Sequence, residues 1–168
     1  GKHIIEERIN IIIKYGSETF ELAEVEGDAV FFYKQETFAV GQVEKVTKQI
    51  FQAFHQHLSQ YAHGRICHCG ACLQAVDLKL KFVVHGGETT LANFEGQKGK
   101  PYGDPVIVVH RLLKNDVSLD EYVLFSQDFM KGTELNMAVN GEKNDADLGR
   151  IPFEYLDINE WKKDLSLV

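Results

Sequence analysis

The sequence predicts an α+β fold, a β-sheet with helices mostly on one face. Three observations predict it. Apolar residues recur at helical spacing over 2–14 and 40–61. Alternating or wholly apolar runs occupy 20–33, 78–85 and 122–126. Turn formers separate these segments, and the resulting order, αββαβαββ, belongs to α+β architecture. With 168 residues, 44% of them hydrophobic, the chain suits a single domain, 1–168, that buries a real core. Its core is expected over about 2–130, with 131–149 a mobile hairpin or loop and 150–168 a C-terminal strand and tail.

Ile5, Ile9, Ile12 and Ile13 alternate with Glu6, Glu7 and Lys14, as an amphipathic helix requires, and Gly16 suits its C-cap. Residues 20–33 read as two short strands folded back at Gly27-Asp28, where glycine supplies the φ > 0 of a tight hairpin. The second helix carries Val43, Val46, Ile50, Phe54, Leu58 and Tyr61 as its apolar stripe. Its His55 and His57, among Gln neighbours, are expected in solvent. The run Leu78 to His85 begins alternating and ends apolar, which predicts a central strand, broken by Gly86-Gly87.

A Gly-rich loop, 96–102, is expected next. Val106-Ile107-Val108-Val109 has strand propensity, yet Asp104 as N-cap and Pro105 at the first position predict a helix, with Arg111 and Lys114 near its end. Ser118 and Glu121 fit a capping box for one more turn. Tyr122 to Ser126 is a strand, Asn140-Gly141 a turn, and Arg150 to Ile158 a last strand. Trp161 is expected to pack the tail onto the body.

The bulk numbers exclude several functions. A net charge of −7 disfavours nucleic acid and anionic membrane as partners. No apolar run reaches the roughly eighteen residues of a membrane span, and the N-terminus lacks a signal peptide's apolar region. Three cysteines within 67–72 do not form a secreted disulfide framework. A cytoplasmic location is expected. The chain begins with Gly rather than Met, which points to a processed, tagged or truncated N-terminus.

Asp28 has two readings. It is a turn former, or it is a carboxylate held at the tip of a rigid hairpin for a metal-phosphate. Three segments favour the second when taken together. They are Glu24-Val25-Glu26-Gly27-Asp28-Ala29-Val30, then Lys79-Leu80-Lys81-Phe82-Val83-Val84-His85-Gly86-Gly87-Glu88, then Gly103-Asp104-Pro105-Val106-Ile107-Val108-Val109-His110-Arg111-Leu112. In this order and spacing they resemble the catalytic domain of class III nucleotidyl cyclases. The chain is most similar, over about 2–130, to an uncharacterised bacterial family of cyclase-like domains. The strings EGDAVFFY, RICHCGAC, LKFVVHGGE and VHRLLKN carry that likeness.

The resemblance implies a ferredoxin-like core and a homodimer, because cyclases build their site between two such domains. It makes Asp28 a ligand of magnesium or manganese and Gly27 part of the nucleotide-binding hairpin. Arg111 becomes the catalytic arginine that stabilises the transferring phosphate. Glu24 takes the position that reads guanine in guanylyl cyclases. Lys100 stands at the second base-reading position, so a purine nucleotide is implied without a choice of base. Ile107 replaces the helix asparagine and shares a face with Arg111 through i,i+4 spacing. The first cyclase strand, with its metal-binding Asp, belongs before residue 1. Cyclisation typically uses two ions about 4 Å apart, and one carboxylate hardly holds both.

Cys67-x-Cys69-x-x-Cys72, with His63 or His68 as a fourth donor, has the donors for a tetrahedral zinc site. Reduced cysteines packed at a loop are the reading favoured over zinc, and a redox pair through Cys69 and Cys72 is the third. His85 and His110 read as hydrogen-bonded structure, and Lys98 and Lys100 as solvated. The leading expectation is a degenerate cyclase-like domain that senses nucleotides or dimerises without turnover. An active adenylyl or guanylyl cyclase truncated at its N-terminus, and a zinc-braced interaction domain, are the alternatives.

Overall fold

A computed structural model describes residues 2–64, 77–95 and 97–165. The fold is α+β, and the chain packs as two units, Gly1–Leu80 with Glu160–Val168, and Lys81–Asn159. Among the described residues no helix is long and apolar enough to cross a membrane.

The first unit runs α1 (Lys2–Gly16), β1 (Glu21–Glu26), β2 (Ala29–Tyr33) and α2 (Val40–Gly64). α1 packs on α2 and against the hairpin. Gly16 ends α1, but not with a left-handed conformation. A Cβ there would stand 2.4 Å from the Phe32 ring, so close approach rather than capping explains the glycine. The predicted stripe of α2 is buried at Val43, Val46, Ile50, Phe54 and Leu58. His55 corrects the expectation of a solvated side chain: it is buried, its ring 4.5 Å from Phe51 and 5.2 Å from Phe54. Trp161 packs edge-on to Phe51 at 5.7 Å, and Gln52 Nε2 donates to its carbonyl. That fastens the 3-10 turn Asn159–Asp164 to α2, as its aromatic predicted.

In the second unit, β3 (Phe82–Val84), β6 (Tyr122–Ser126), β8 (Gly149–Asp157) and β7 (Val139–Asp145) form one mixed sheet in that order. β3 runs parallel to β6, and the other pairings are antiparallel. The expected central strand at 78–85 is therefore a three-residue strand at the sheet's edge. The fully buried strand is β6 instead, every residue of it covered. Tyr122 and Leu124 on one face of β6 join Leu112, Ile151 and Phe153 in the core. Val108 and Leu112 of α3 (Asp104–Leu112) lie against that cluster, so α3 covers this face.

Three local readings change. The predicted Gly-rich loop is a strand: β4 (Thr90–Phe94) pairs antiparallel with β5 (Gln97–Tyr102). Gly99, at φ 79°, is its bulge, the extra residue between the pairs Asn93↔Lys98 and Ala92↔Lys100. Asn140-Gly141 is not a turn but lies within β7, where a Cβ on Gly141 would stand 2.5 Å from the Phe153 ring. Ser118 and Glu121 cap no helix. Asn115 organises that connection, donating to the Leu112 carbonyl and to Tyr122 Oη and accepting from Val117 N–H. A short α4 (Gln127–Met130) follows β6, with Ser126 Oγ accepting from Phe129 N–H as its cap.

Candidate functional site

The hairpin forms as predicted. Strand pairing ends at Glu26↔Ala29, so Gly27 and Asp28 are a two-residue loop. Gly27 has φ 58° in open space, the first-position glycine of a type II′ turn. Asp28 is exposed at this tip. A bulge at Ala23, between the pairs Leu22↔Phe32 and Glu24↔Phe31, sets half-buried Glu24 opposite Phe31. At the open end Tyr33 Oη donates to Glu21 Oε2 at 2.7 Å, a bond that, with slight burial and the carboxylate's charge, raises the phenol's pKa. Asp28 and Glu24 belong to the first unit. Lys100, Ile107 and Arg111 belong to the second.

Two of the three resembling segments meet within the second unit. Beyond β3, a Cβ on Gly87 would stand 2.6 Å from Pro105 Cγ, and one on Gly86 3.1 Å from Phe129. Glycine at both positions lets the strand's end press onto the start of α3 and onto α4. The N-cap of α3 is Gly103, at φ 122°, and no side chain caps the helix. Asp104 is thus the first helical residue rather than the cap, where its charge still suits the helix dipole.

His85 Nδ1 lies 2.6 Å from Ser126 Oγ, and burial lowers its pKa against a smaller opposing pull from Asp128. His110 Nδ1 lies 2.8 Å from the Val106 carbonyl, which only a protonated Nδ1 can satisfy. Both histidines are the hydrogen-bonded structure their positions predicted. Lys100 is half-buried on β5 opposite Ala92.

Arg111 and Ile107 share the outer face of α3, as i,i+4 spacing requires, with Ile107 45% exposed. The partners of Arg111 were not visible in the motif. Its Nη1 donates to Asp145 Oδ1 at 3.1 Å, Asp145 Oδ2 at 3.0 Å and Asp147 Oδ2 at 3.2 Å. These bonds raise the guanidinium's pKa. Asp145 also accepts from the N–H groups of Asp147 and Leu148, each at 2.9 Å. Those backbone bonds, first Leu148's and then Asp147's, hold its pKa low, with Arg111 adding to them. The signal was present as Asp145-Ala146-Asp147-Leu148-Gly149, an aspartate that accepts from the backbone two and three residues on, closed by a glycine at φ 76°.

Cys67, His68, Cys69 and Cys72 lie outside the described residues, and His63 is in the last turn of α2. Among the described residues no group of three or more His, Cys, Asp or Glu side chains gathers as a metal site. A divalent ion at the hairpin would have Asp28 as its carboxylate, an oxygen donor of the kind magnesium and manganese take.

The family described as "Protein of unknown function (DUF2652)" matches residues 5–122. That span contains all three segments above and stops short of the 145–149 turn. "Uncharacterized protein Rv2561/Rv2562" from Mycobacterium tuberculosis (strain ATCC 25618 / H37Rv) is 34% identical over 106 residues, 63% of this chain and 50% of that protein. The chain spans about half the length of this curated relative. No solved structure matches it.

Proposed function

We propose that this chain, which belongs to the family described as protein of unknown function (DUF2652), is a degenerate class III nucleotidyl cyclase-like domain. It binds a purine nucleotide or dimerises as a regulatory module of the cytoplasm, and it does not turn the nucleotide over. In this reading the sheet is of the ferredoxin-like cyclase type and the working unit is a homodimer. Asp28 meets magnesium or manganese, Arg111 meets a phosphate oxygen, and Gly27, Glu24 and Lys100 line the nucleotide.

The observation that carries the reading is the joint at Gly87 and Pro105. The strand-end and helix-start motifs, 18 positions apart in sequence, are locked together by two glycine and proline choices that a generic sheet does not demand. From that joint α3 presents Ile107 and Arg111 outward on one face. Isoleucine has no hydrogen-bonding group, so it cannot orient a ribose or phosphate as the amide of the cyclase helix does. Cyclisation depends on that positioning as well as on metal ions, which is why binding is proposed without turnover.

The test is paired. Purified chain is titrated calorimetrically with GTP and with ATP in manganese, and the mixtures are assayed for cyclic GMP and cyclic AMP. Binding without cyclic product supports the reading. No binding at millimolar nucleotide removes its nucleotide part, and cyclic product abolished by Asp28→Ala replaces it with an active cyclase.

A further inference from the structure

We propose that the acidic turn 145–149 is a built-in competitor for the phosphate-binding arginine, with Asp147 as the carboxylate that an incoming phosphate displaces. This rests on the reading of Arg111 as a phosphate-binding group. Carboxylate and phosphate oxygens compete for the same guanidinium N–H donors, and here three carboxylate contacts already converge on Arg111 Nη1.

The two aspartates are not equivalent. Asp145 is 5% exposed, touches Nη1 through both oxygens and is fixed by two backbone N–H groups. It cannot leave without dismantling the turn. Asp147 is 73% exposed and makes a single contact, at 3.2 Å. Its release costs one solvent-exposed ion pair, an interaction small enough for a ligand to replace. Asp145 therefore acts as a positioning residue that keeps Arg111 at the turn, while Asp147 covers it. The guanidinium itself is 41% exposed, so a ligand reaches it without unfolding α3.

The arrangement also explains why an arginine on the outer face of a nine-residue helix should be tied to a hairpin 34 residues away. The turn neutralises an otherwise unpaired cation when ligand is absent, and it sets a threshold for anions.

Two measurements on the full chain test this. In the first, Arg111 modification by phenylglyoxal is followed by peptide mapping. Ion pairing holds the guanidinium proton that the reagent needs removed, so Asp147→Asn speeds modification at Arg111, and Glu134→Gln, an exposed acid of the same unit, does not. In the second, manganese–GTP is titrated into the same proteins. Asp147→Asn tightens binding roughly 1.5- to 5-fold, the span an exposed ion pair contributes, while Glu134→Gln stays at the wild-type value.

An unchanged modification rate and affinity in Asp147→Asn overturn the competitor and leave the nucleotide reading standing. Faster modification with no nucleotide binding by any variant keeps the cover on Arg111, but overturns nucleotide phosphate as the anion it excludes. Equal tightening in Glu134→Gln reduces the effect to net charge and overturns the proposal.

Discussion

Two tight turns in this molecule each carry an aspartate and a glycine at positive φ, Gly27 at 58° and Gly149 at 76°. In the Gly27-Asp28 turn the glycine comes first and the carboxylate is exposed at the tip. In the 145–149 turn the aspartate comes first, three residues connect the pair Asp145↔Gly149, and the carboxylate turns inward to bind two N–H groups and Arg111. The order of the same two residue types decides the outcome. An aspartate that opens a turn has its backbone donors ahead of it and is consumed in making the turn. An aspartate placed after the glycine keeps its carboxylate exposed at the tip, as Asp28 does, whereas Asp145 is spent on structure.

The supports beneath the two turns separate them most strongly. The 145–149 turn joins β7 and β8, which are fixed by Phe153, 3% exposed and seated over Gly141. Phe153→Ala is expected to cost about 3–5 kcal/mol in chemical unfolding, as for other buried phenylalanines. It should also free Arg111 toward phenylglyoxal. Val25→Ala beside the Gly27-Asp28 turn, at a 43% exposed position, should stay within about 0.5 kcal/mol. A large loss from Val25→Ala would show the first hairpin to be the more deeply anchored.

The glycines sharpen the comparison. A Cβ at either would find open space, so both Gly149→Ala and Gly27→Ala pay mainly the left-handed backbone penalty, about 1–2 kcal/mol each. Of these two, Gly149→Ala should raise Arg111 reactivity, because the 145–149 turn holds the arginine among the described residues.

Much of this was legible. Helical spacing located α1 and α2, and Asp104-Pro105 overruled the β-propensity of Val106 to Val109 to give α3. The Gly27-Asp28 turn followed from turn chemistry alone. What failed has a common cause, tertiary packing that local pattern does not encode. Asn140-Gly141 has the composition of a turn, but its glycine serves the Phe153 ring. Gly99 looked like loop flexibility and is a bulge within a strand. His55 looked solvated among glutamines, yet two phenylalanines enclose it. Among the candidate site residues, the exposed tip position of Asp28 and the shared face of Ile107 and Arg111 were readable from their motifs. The pairing of Arg111 with Asp145 was not, since it joins segments 34 positions apart.

Acid gives a smaller contrast. Asp145 has its pKa held below the ordinary carboxylate value of about 3.9 by its backbone donors and Arg111. A depressed carboxylate contributes stability that is present above that value and lost as pH falls through the folded one. Acid unfolding of wild type should therefore steepen below about pH 4, and Asp145→Asn should flatten that limb while lowering stability at pH 7. Smallest of all, Asp28→Asn should leave the unfolding midpoint unchanged, because no described contact of the fold depends on it. A clear drop would return Asp28 to a structural role.

Binding of manganese–GTP to the full chain, compared among wild type, Asp28→Ala and Arg111→Ala and repeated with manganese chelated, tests the central claim most directly. The account predicts measurable affinity for wild type, and a loss in each variant on the order of tenfold to a hundredfold, as for hydrogen bonds to charged groups. Chelation should weaken wild type and leave Asp28→Ala unchanged. Wild-type binding that neither substitution alters, or no binding at millimolar nucleotide, would contradict it.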